Sequence, residues 1–78
     1  MKKTIEILGT GCPKCRALTT AADDVARRLG LDYELVKVTE VPEIVARGVM
    51  LTPALVVDGE VKVMGRVPLS AELERMLV

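Results

Sequence analysis

Residues 3–15 read KTIEILGTGCPKC, so an apolar strand pattern leads through three small residues into a pair of cysteines. Residues 3–8 carry β-branched side chains and end at a glycine, which is typical of a short strand. The motif Cys-Pro-Lys-Cys at 12–15 then begins a helical pattern, and its proline suits the first helical position because the missing N–H would have no partner there. Two thiols are therefore expected at the start of a helix that follows a strand.

The pattern downstream of the cysteines predicts a strand-helix-strand unit. Apolar residues recur at helical spacing as far as Leu29, and Gly30 follows as a stop, so we predict a helix over 13–29. The mostly apolar, β-branched stretch 31–38 predicts a strand that is buried on both faces over most of its length. A strand, a helix and a second strand in this order imply a right-handed parallel crossover.

The second half of the chain predicts a short helix and then a hairpin. Pro42 as a first helical residue indicates a short helix. Asp58-Gly59 lies between two largely apolar runs, 54–57 and 60–64, and this dipeptide is the strongest short-range signal for a two-residue hairpin turn. These two runs are therefore expected to be antiparallel strands.

A last helix is predicted near the end of the sequence. Ser70 is a candidate N-cap, Glu72 follows in the first turn, and Leu73, Met76 and Leu77 share the inner face. The predicted order is β-α-β-α-β-β-α. We expect an α/β fold with a four-stranded mixed sheet and helices on both of its faces.

Length and composition indicate one small domain, residues 1–78, with an aliphatic core. Half of the residues are hydrophobic, yet Tyr33 is the single aromatic residue. Eleven basic and eleven acidic residues cancel, and there is no basic stripe, so nucleic acid is not an expected partner. No apolar run approaches membrane-spanning length, and the first residues lead into a strand pattern rather than a signal-peptide core. We therefore expect a cytoplasmic protein that does not bind membranes. We also expect a monomer.

The two cysteines are poorly suited to a structural role. A bridge from Cys12 to Cys15 would close a ring of four residues and remove only about 2 kcal/mol of chain entropy from the unfolded state. Cytoplasmic disulfides are usually transient and catalytic. Reversible redox chemistry is therefore the better interpretation of this pair.

The element order, with Cys-x-x-Cys between the first strand and the first helix, resembles a thioredoxin fold without its N-terminal extension. More closely, the sequence is similar to the small thioredoxin-like proteins of bacteria and archaea called redox-active disulfide protein 2. The matching segments are LGTGCPKC at 8–15, TPAL at 52–55 and MGRVP at 64–68. The resemblance implies a thiol-disulfide oxidoreductase that needs no cofactor and no metal.

The roles of the two cysteines follow from their positions. Cys12 lies at the helix start, where backbone N–H groups of Lys14 and Cys15 favour a thiolate, so we expect it to attack a substrate disulfide. Cys15 then resolves the mixed disulfide. Lys14 adds a nearby positive charge, although an ordinary exposed lysine is an equal alternative.

The resemblance also implies a substrate-binding surface around the dithiol. It places a cis-proline at Pro53 and pairs the Thr52 backbone with an extended substrate segment, while the alternative is a trans proline that opens an edge strand. Gly11, where thioredoxin has a tryptophan, and the two residues inside the motif, Pro13 and Lys14, complete this predicted surface.

Further candidate residues each have two interpretations. Glu6 lies six residues before Cys12, where thioredoxin has a buried acid, and is a candidate proton acceptor for Cys15. The alternative is a strand glutamate directed to solvent. Arg66 could meet a carboxylate of a substrate, or could be a solvated surface arginine. The residues expected to fill gaps in the core or at its rim are Met50, Met64 and Tyr33.

The competing function is a soluble copper carrier that binds metal through the Cys-x-x-Cys pair. Such carriers have the order β-α-β-β-α-β, and the methionine that they place two residues before the first cysteine is Thr10 here. Zinc is disfavoured because a tetrahedral site needs four ligands and the sequence has two cysteines and no histidine.

The resemblance implies protein disulfides as substrates, and a thioredoxin reductase or a membrane dithiol carrier as the electron donor. Glutathione is not an expected direct reductant, because the Gly-Gly-x-Asp signature and the dithiol tyrosine of glutaredoxins are both missing.

Overall fold

The computed structural model describes residues 2–78 and has the predicted element order, β-α-β-α-β-β-α. The copper carriers have a different order. Within residues 2–78 no helix combines the length and the apolar character that crossing a membrane would require. The elements are β1 Lys3–Leu8, α1 Pro13–Arg28, β2 Tyr33–Val38, α2 Val41–Ala46, β3 Ala54–Val57, β4 Glu60–Met64 and α3 Ser70–Leu77.

The four strands form one mixed sheet in the order β2-β1-β3-β4. β1 runs parallel to β2, which confirms the predicted parallel pairing, and antiparallel to β3. Leu8, the last residue of β1, is paired with Ala54, the first residue of β3. As a result, the loop that carries the cysteines and the segment that enters β3 meet at the same end of the sheet.

The β3-β4 hairpin forms at the predicted turn. Asp58 has φ 50° and Gly59 has φ 83°, and two positive φ values are what a type I′ two-residue turn requires. The register shifts by one residue between Leu55 and Val56, which leaves an extra residue on β4 as a β-bulge.

Two aliphatic clusters cover the two faces of the sheet. α1 and α3 pack together on one face, and Ile44 of α2 packs on the other. This arrangement confirms helices on both faces, and Tyr33 contributes only partly buried surface at the margin of the first cluster. The fully or nearly fully buried members of the first cluster include Ile5, Leu18, Ala22, Val25, Leu55, Leu73 and Leu77, and those of the second include Leu8, Val38, Val49, Ala54 and Val56.

The prediction for the second strand, residues 31–38, was wrong in one respect. β2 begins at Tyr33 and lies at the edge of the sheet, so only one of its sides is paired with another strand. Val38 is the only buried residue of β2. The other residues of β2 are partly buried or exposed, so the strand is not buried on both faces over most of its length.

The start of α3 also differs from the prediction. Leu69 is the N-cap, and Ser70 is the first helical residue. The carboxylate of Glu72 accepts a hydrogen bond of 3.1 Å from the Leu69 N–H. Glu72 therefore satisfies the N–H of the N-cap residue, which is one half of a capping box, and Ser70 is not the capping residue that was expected.

Candidate active site

Cys12 is the N-cap of α1. Its backbone is extended, with φ −67° and ψ 164°, and Pro13 follows as the first helical residue. The Cys15 N–H donates to the Cys12 sulfur across 3.4 Å. Because the first N–H groups of a helix have no partner within the helix, this sulfur takes the place that a capping oxygen usually fills.

The two thiols lie next to each other but differ in exposure. Both cysteines are free, and their Sγ atoms are 2.8 Å apart. Cys12 is half-buried and accessible from the surface, whereas Cys15 is only 5% exposed. An incoming disulfide therefore meets Cys12 first, with Cys15 within reach of the same sulfur.

The surroundings shift the pKa values of the two thiols in opposite directions. The pKa of Cys12 is lowered, first by the hydrogen bond from the Cys15 thiol and then by the backbone N–H groups of Cys15 and Lys14. The pKa of Cys15 is raised, mainly because burial disfavours its charged form. The pair thus holds one thiolate-prone sulfur at the surface and one protonated sulfur behind it.

Gly9 is a site residue for which the sequence interpretation proposed no role. A β-carbon at this position would overlap the sulfur of Cys15 and would lie 3.2 Å from the Cys15 Cβ. It would also lie 3.9 Å from the Cβ of Thr52. The close approach of Cys15 requires glycine at position 9, whereas the distance to Thr52 would be an ordinary van der Waals contact. The available sequence signal was a glycine directly after the last apolar residue of the strand.

Thr52 and Pro53 lie beside the dithiol, at the point where the chain enters β3. The peptide bond between them is cis. Thr52 is exposed and Pro53 is buried, and the Pro53 carbonyl accepts a hydrogen bond of 2.8 Å from the Gly65 N–H. The structure thus brings the segment of Thr52 close to the segment of Cys12, 40 residues earlier in the chain, as the resemblance implied.

The predicted surface residues around Cys12 are accessible. Gly11, Pro13 and Lys14 are all exposed. Gly11 has φ +93°, a conformation that favours glycine, and its carbonyl accepts a hydrogen bond of 3.2 Å from Nη1 of Arg16. The loop before Cys12 is therefore held to the first turn of α1.

Glu6 has a partner that the sequence did not indicate. Its Oε2 atom accepts a hydrogen bond of 3.0 Å from Nε of Arg47 and lies 2.8 Å from Nη2 of the same guanidinium, and the Glu6 side chain is 15% exposed. The carboxylate raises the pKa of Arg47. Glu6 is therefore not directed to solvent, and in the part of the chain that the structure describes its hydrogen bonds go to Arg47 and not to Cys15.

Arg66 is engaged within the protein. Its guanidinium donates two hydrogen bonds to the Glu72 carboxylate, at 3.1 and 2.8 Å. Together with the Leu69 N–H, Arg66 lowers the pKa of Glu72 to about 2. Arg66 is thus a surface arginine, as one of the two interpretations expected, and its guanidinium is bound to Glu72. A contact between Arg66 and a substrate carboxylate stays a prediction.

Exposed apolar side chains precede Thr52. Met50 is 84% exposed and Leu51 is 60% exposed, so the expectation that Met50 fills a gap in the core or at its rim was wrong. Met64, at the end of β4, is 43% exposed and does lie at the rim. Two exposed apolar side chains thus come directly before Thr52 in the chain.

The fold and the paired thiols define a class of protein. A surface thiolate and a buried thiol at a helix start, on a mixed sheet with the order β2-β1-β3-β4, are the parts of a thioredoxin-fold thiol-disulfide oxidoreductase.

The comparisons with known proteins agree with this class. The family model described as "Thioredoxin domain" matches residues 3–78. A thioredoxin of Methanothermobacter thermautotrophicus is 41% identical over 73 residues, which cover 94% of this chain and 95% of that protein. A thioredoxin of Methanocaldococcus jannaschii is 40% identical over 73 residues, with 94% of this chain and 84% of that protein covered. The chain belongs to the thioredoxin family.

Proposed function

We propose that the chain reduces disulfides of protein substrates through Cys12 and Cys15. The Cys12 thiolate attacks one sulfur of the substrate disulfide, forms a mixed disulfide with it and releases the other sulfur as a thiolate. Cys15 loses its proton and attacks the Cys12 sulfur, which releases the second substrate sulfur. The substrate gains two electrons, and the protein is left with a Cys12-Cys15 disulfide.

The observation that carries this proposal is the opposite direction of the two pKa shifts across a 2.8 Å Sγ to Sγ contact. A lowered pKa supplies the thiolate that attacks near neutral pH. A raised pKa keeps Cys15 protonated until the mixed disulfide has formed, so that the resolving step follows the first attack.

The surface for the substrate would be formed by the residues around Cys12. The backbone of Thr52 would pair with an extended substrate segment, because Thr52 is exposed and lies beside Gly9 at the end of β1. The exposed residues Gly11, Pro13 and Lys14 would contact the substrate from the opposite side of the sulfur. A monomer is sufficient for this arrangement.

The oxidised protein needs an electron donor. A thioredoxin reductase or a membrane dithiol carrier would fill this role in the cytoplasm, since either supplies the two electrons that return the disulfide to two thiols. No bound cofactor is needed for these steps, because both half-reactions are exchanges between sulfur atoms.

A trapping experiment tests the assignment of the two roles. With Cys15→Ser, the mixed disulfide between Cys12 and a protein substrate cannot be resolved, so a covalent complex that a reductant releases should accumulate on non-reducing gels. The matched variant Cys12→Ser should trap far less, because its remaining thiol is buried. Equal trapping by the two variants, or none by Cys15→Ser, would contradict the proposed order of attack.

A redox titration with a metal analysis separates this function from copper carriage. An oxidoreductase should show a reversible two-electron couple between about −180 and −300 mV. Stoichiometric copper in the purified protein, together with the lack of such a couple, would favour the carrier.

A further inference from the structure

A cavity of about 60 Å³ opens beside Cys15, on the side of the dithiol that faces away from Thr52. Its lining includes Gly9 and Cys15 but not Cys12. Lys37 of β2 and Thr39, which follows β2, form another wall. Because β1 separates β2 from β3 in the sheet, this cavity and the surface at Thr52 lie on opposite sides of the β1 end.

Two basic side chains border the cavity, whose lining surface is otherwise mostly apolar. Arg16 and Lys37 line it, and within residues 2–78 neither of them is paired with a carboxylate. No acidic residue lines the cavity. The Thr19 hydroxyl donates a hydrogen bond of 2.9 Å to the Cys15 carbonyl, so the hydroxyl that remains as a donor to a ligand is that of Thr39. Lys37, the N–H groups of Arg16 other than the one that donates to the Gly11 carbonyl, and the Thr39 hydroxyl are suited to an oxyanion, since charge-assisted hydrogen bonds are the strongest that these groups form.

The size of the cavity limits the ligand. One water needs about 10 to 15 Å³ of such space, so the cavity holds a few waters or one small group such as a carboxylate on a short arm. A ligand bound there by its carboxylate would have the rest of its atoms next to Cys15. A small molecule with both a carboxylate and a sulfur fits these two neighbours.

We propose that this cavity is an anion subsite that admits a low-molecular-weight thiol carrying a carboxylate, and that this thiol reduces the oxidised protein by attack on Cys15. The inference rests on the proposed function. It gives the protein a second entrance for electrons, separate from the surface where the protein substrate would bind.

The exchange has two steps. The small thiolate attacks the Cys15 sulfur of the Cys12-Cys15 disulfide, and Cys12 leaves as a thiolate. A second small thiolate attacks the small-molecule sulfur of the mixed disulfide, Cys15 leaves and takes up a proton, and a small-molecule disulfide is formed. Two small thiols are oxidised, and the protein disulfide gains two electrons. The backbone N–H groups of Cys15 and Lys14 stabilise the departing Cys12 thiolate, which makes Cys12 the better leaving group in the first step.

Alkylation of the reduced protein tests the subsite without redox chemistry. Iodoacetate and iodoacetamide react with a thiol in the same way and are similar in size, but only iodoacetate carries a carboxylate. In a Cys12→Ser variant, the ratio of the iodoacetate rate to the iodoacetamide rate at Cys15 should exceed that of an unstructured peptide thiol. The excess should be about tenfold, because each of two partly exposed charges attracts the iodoacetate carboxylate modestly. The ratio should fall as salt is added, because the charges are then screened.

Charge-removing variants identify the residues responsible. Arg16→Gln and Lys37→Gln should each lower the alkylation ratio at least threefold, and both side chains are exposed, so neither change should unfold the protein. Arg75→Gln and Lys2→Gln are matched controls, because they remove the same charges from exposed positions outside the cavity. A ratio equal to that of the peptide, or one that the controls lower as much as the cavity variants do, would overturn the subsite.

The electron entrance is tested by reduction of the oxidised wild-type protein. Per thiolate, 3-mercaptopropionate should react several-fold faster than 2-mercaptoethanol, and Lys37→Gln should lower this preference. An unchanged preference in Lys37→Gln would overturn the entrance. A failure of the proposed function would give a different result. Cys15→Ser would then trap no mixed disulfide with a protein substrate, while the alkylation ratio at Cys15 stayed high.

Discussion

Gly9 lies so close to Cys15 that any β-carbon at position 9 would overlap the Cys15 sulfur. The position of the buried thiol therefore depends on a missing side chain in the loop after β1. The same loop leads into Cys12, so Gly9 lies between the end of β1 and both cysteines.

Gly9→Ala should destabilise the protein and displace Cys15. The added methyl group overpacks a buried contact, and such changes cost about 1 to 3 kcal/mol. Denaturant unfolding measures this loss, and a slower resolving step should appear as persistent mixed disulfide during exchange. Gly30→Ala is the control, because its β-carbon would meet open space while its φ of +68° still costs backbone strain. That variant should lose stability and keep normal exchange, and the prediction fails if the two variants behave alike.

Glu72→Gln should lower stability at neutral pH and have no effect in strong acid. Arg66 and the Leu69 N–H hold the pKa of Glu72 at about 2 in the folded protein, below the usual value of an unfolded glutamate. The carboxylate therefore stabilises the fold above pH 4 to 5, and this contribution disappears as the pH falls to about 2. Thermal unfolding of both proteins across this range measures the difference. Glu74→Gln, a change two residues further along α3, should reproduce little of it, and a difference that persisted below pH 2 would contradict the assignment.

Glu6→Gln separates two roles of that side chain. A proton acceptor for Cys15 predicts slower exchange and a shifted Cys15 titration. A structural ion pair predicts a loss of stability with normal exchange, and the same loss in Arg47→Gln. We expect the second result, because the hydrogen bonds of Glu6 go to Arg47. Slower exchange in Glu6→Gln alone would establish the proton-acceptor role instead.

The sequence predicted those parts of the structure that depend on neighbouring residues. Pro13 fits the first turn of α1 through its own fixed φ, and Asp58-Gly59 forms the hairpin turn through its own backbone preference. The Cys12 position at the N-cap follows from the same local rules. These features require no knowledge of the sheet order.

The features that the sequence did not predict depend on distant residues. The edge position of β2 is decided by the sheet order, which neither its composition nor its burial pattern specifies. The pair of Glu6 and Arg47 joins residues 41 apart in the chain. Gly9 in the sequence does not indicate that the Cys15 sulfur will pack against it. The cavity beside Cys15 likewise depends on the fold, because its walls come from the start of α1 and from the end of β2.

The pH dependence of alkylation at each cysteine of the reduced wild-type protein tests the divided roles of the two thiols most directly. Mass spectrometry after brief treatment with iodoacetamide gives the two rates separately. Because thiolates are the reacting species, Cys12 should reach half of its limiting rate at a lower pH than a free peptide thiol, and Cys15 at a higher pH. If Cys12 reacted no faster than the peptide thiol at about pH 7, Cys12 would not be the attacking thiolate.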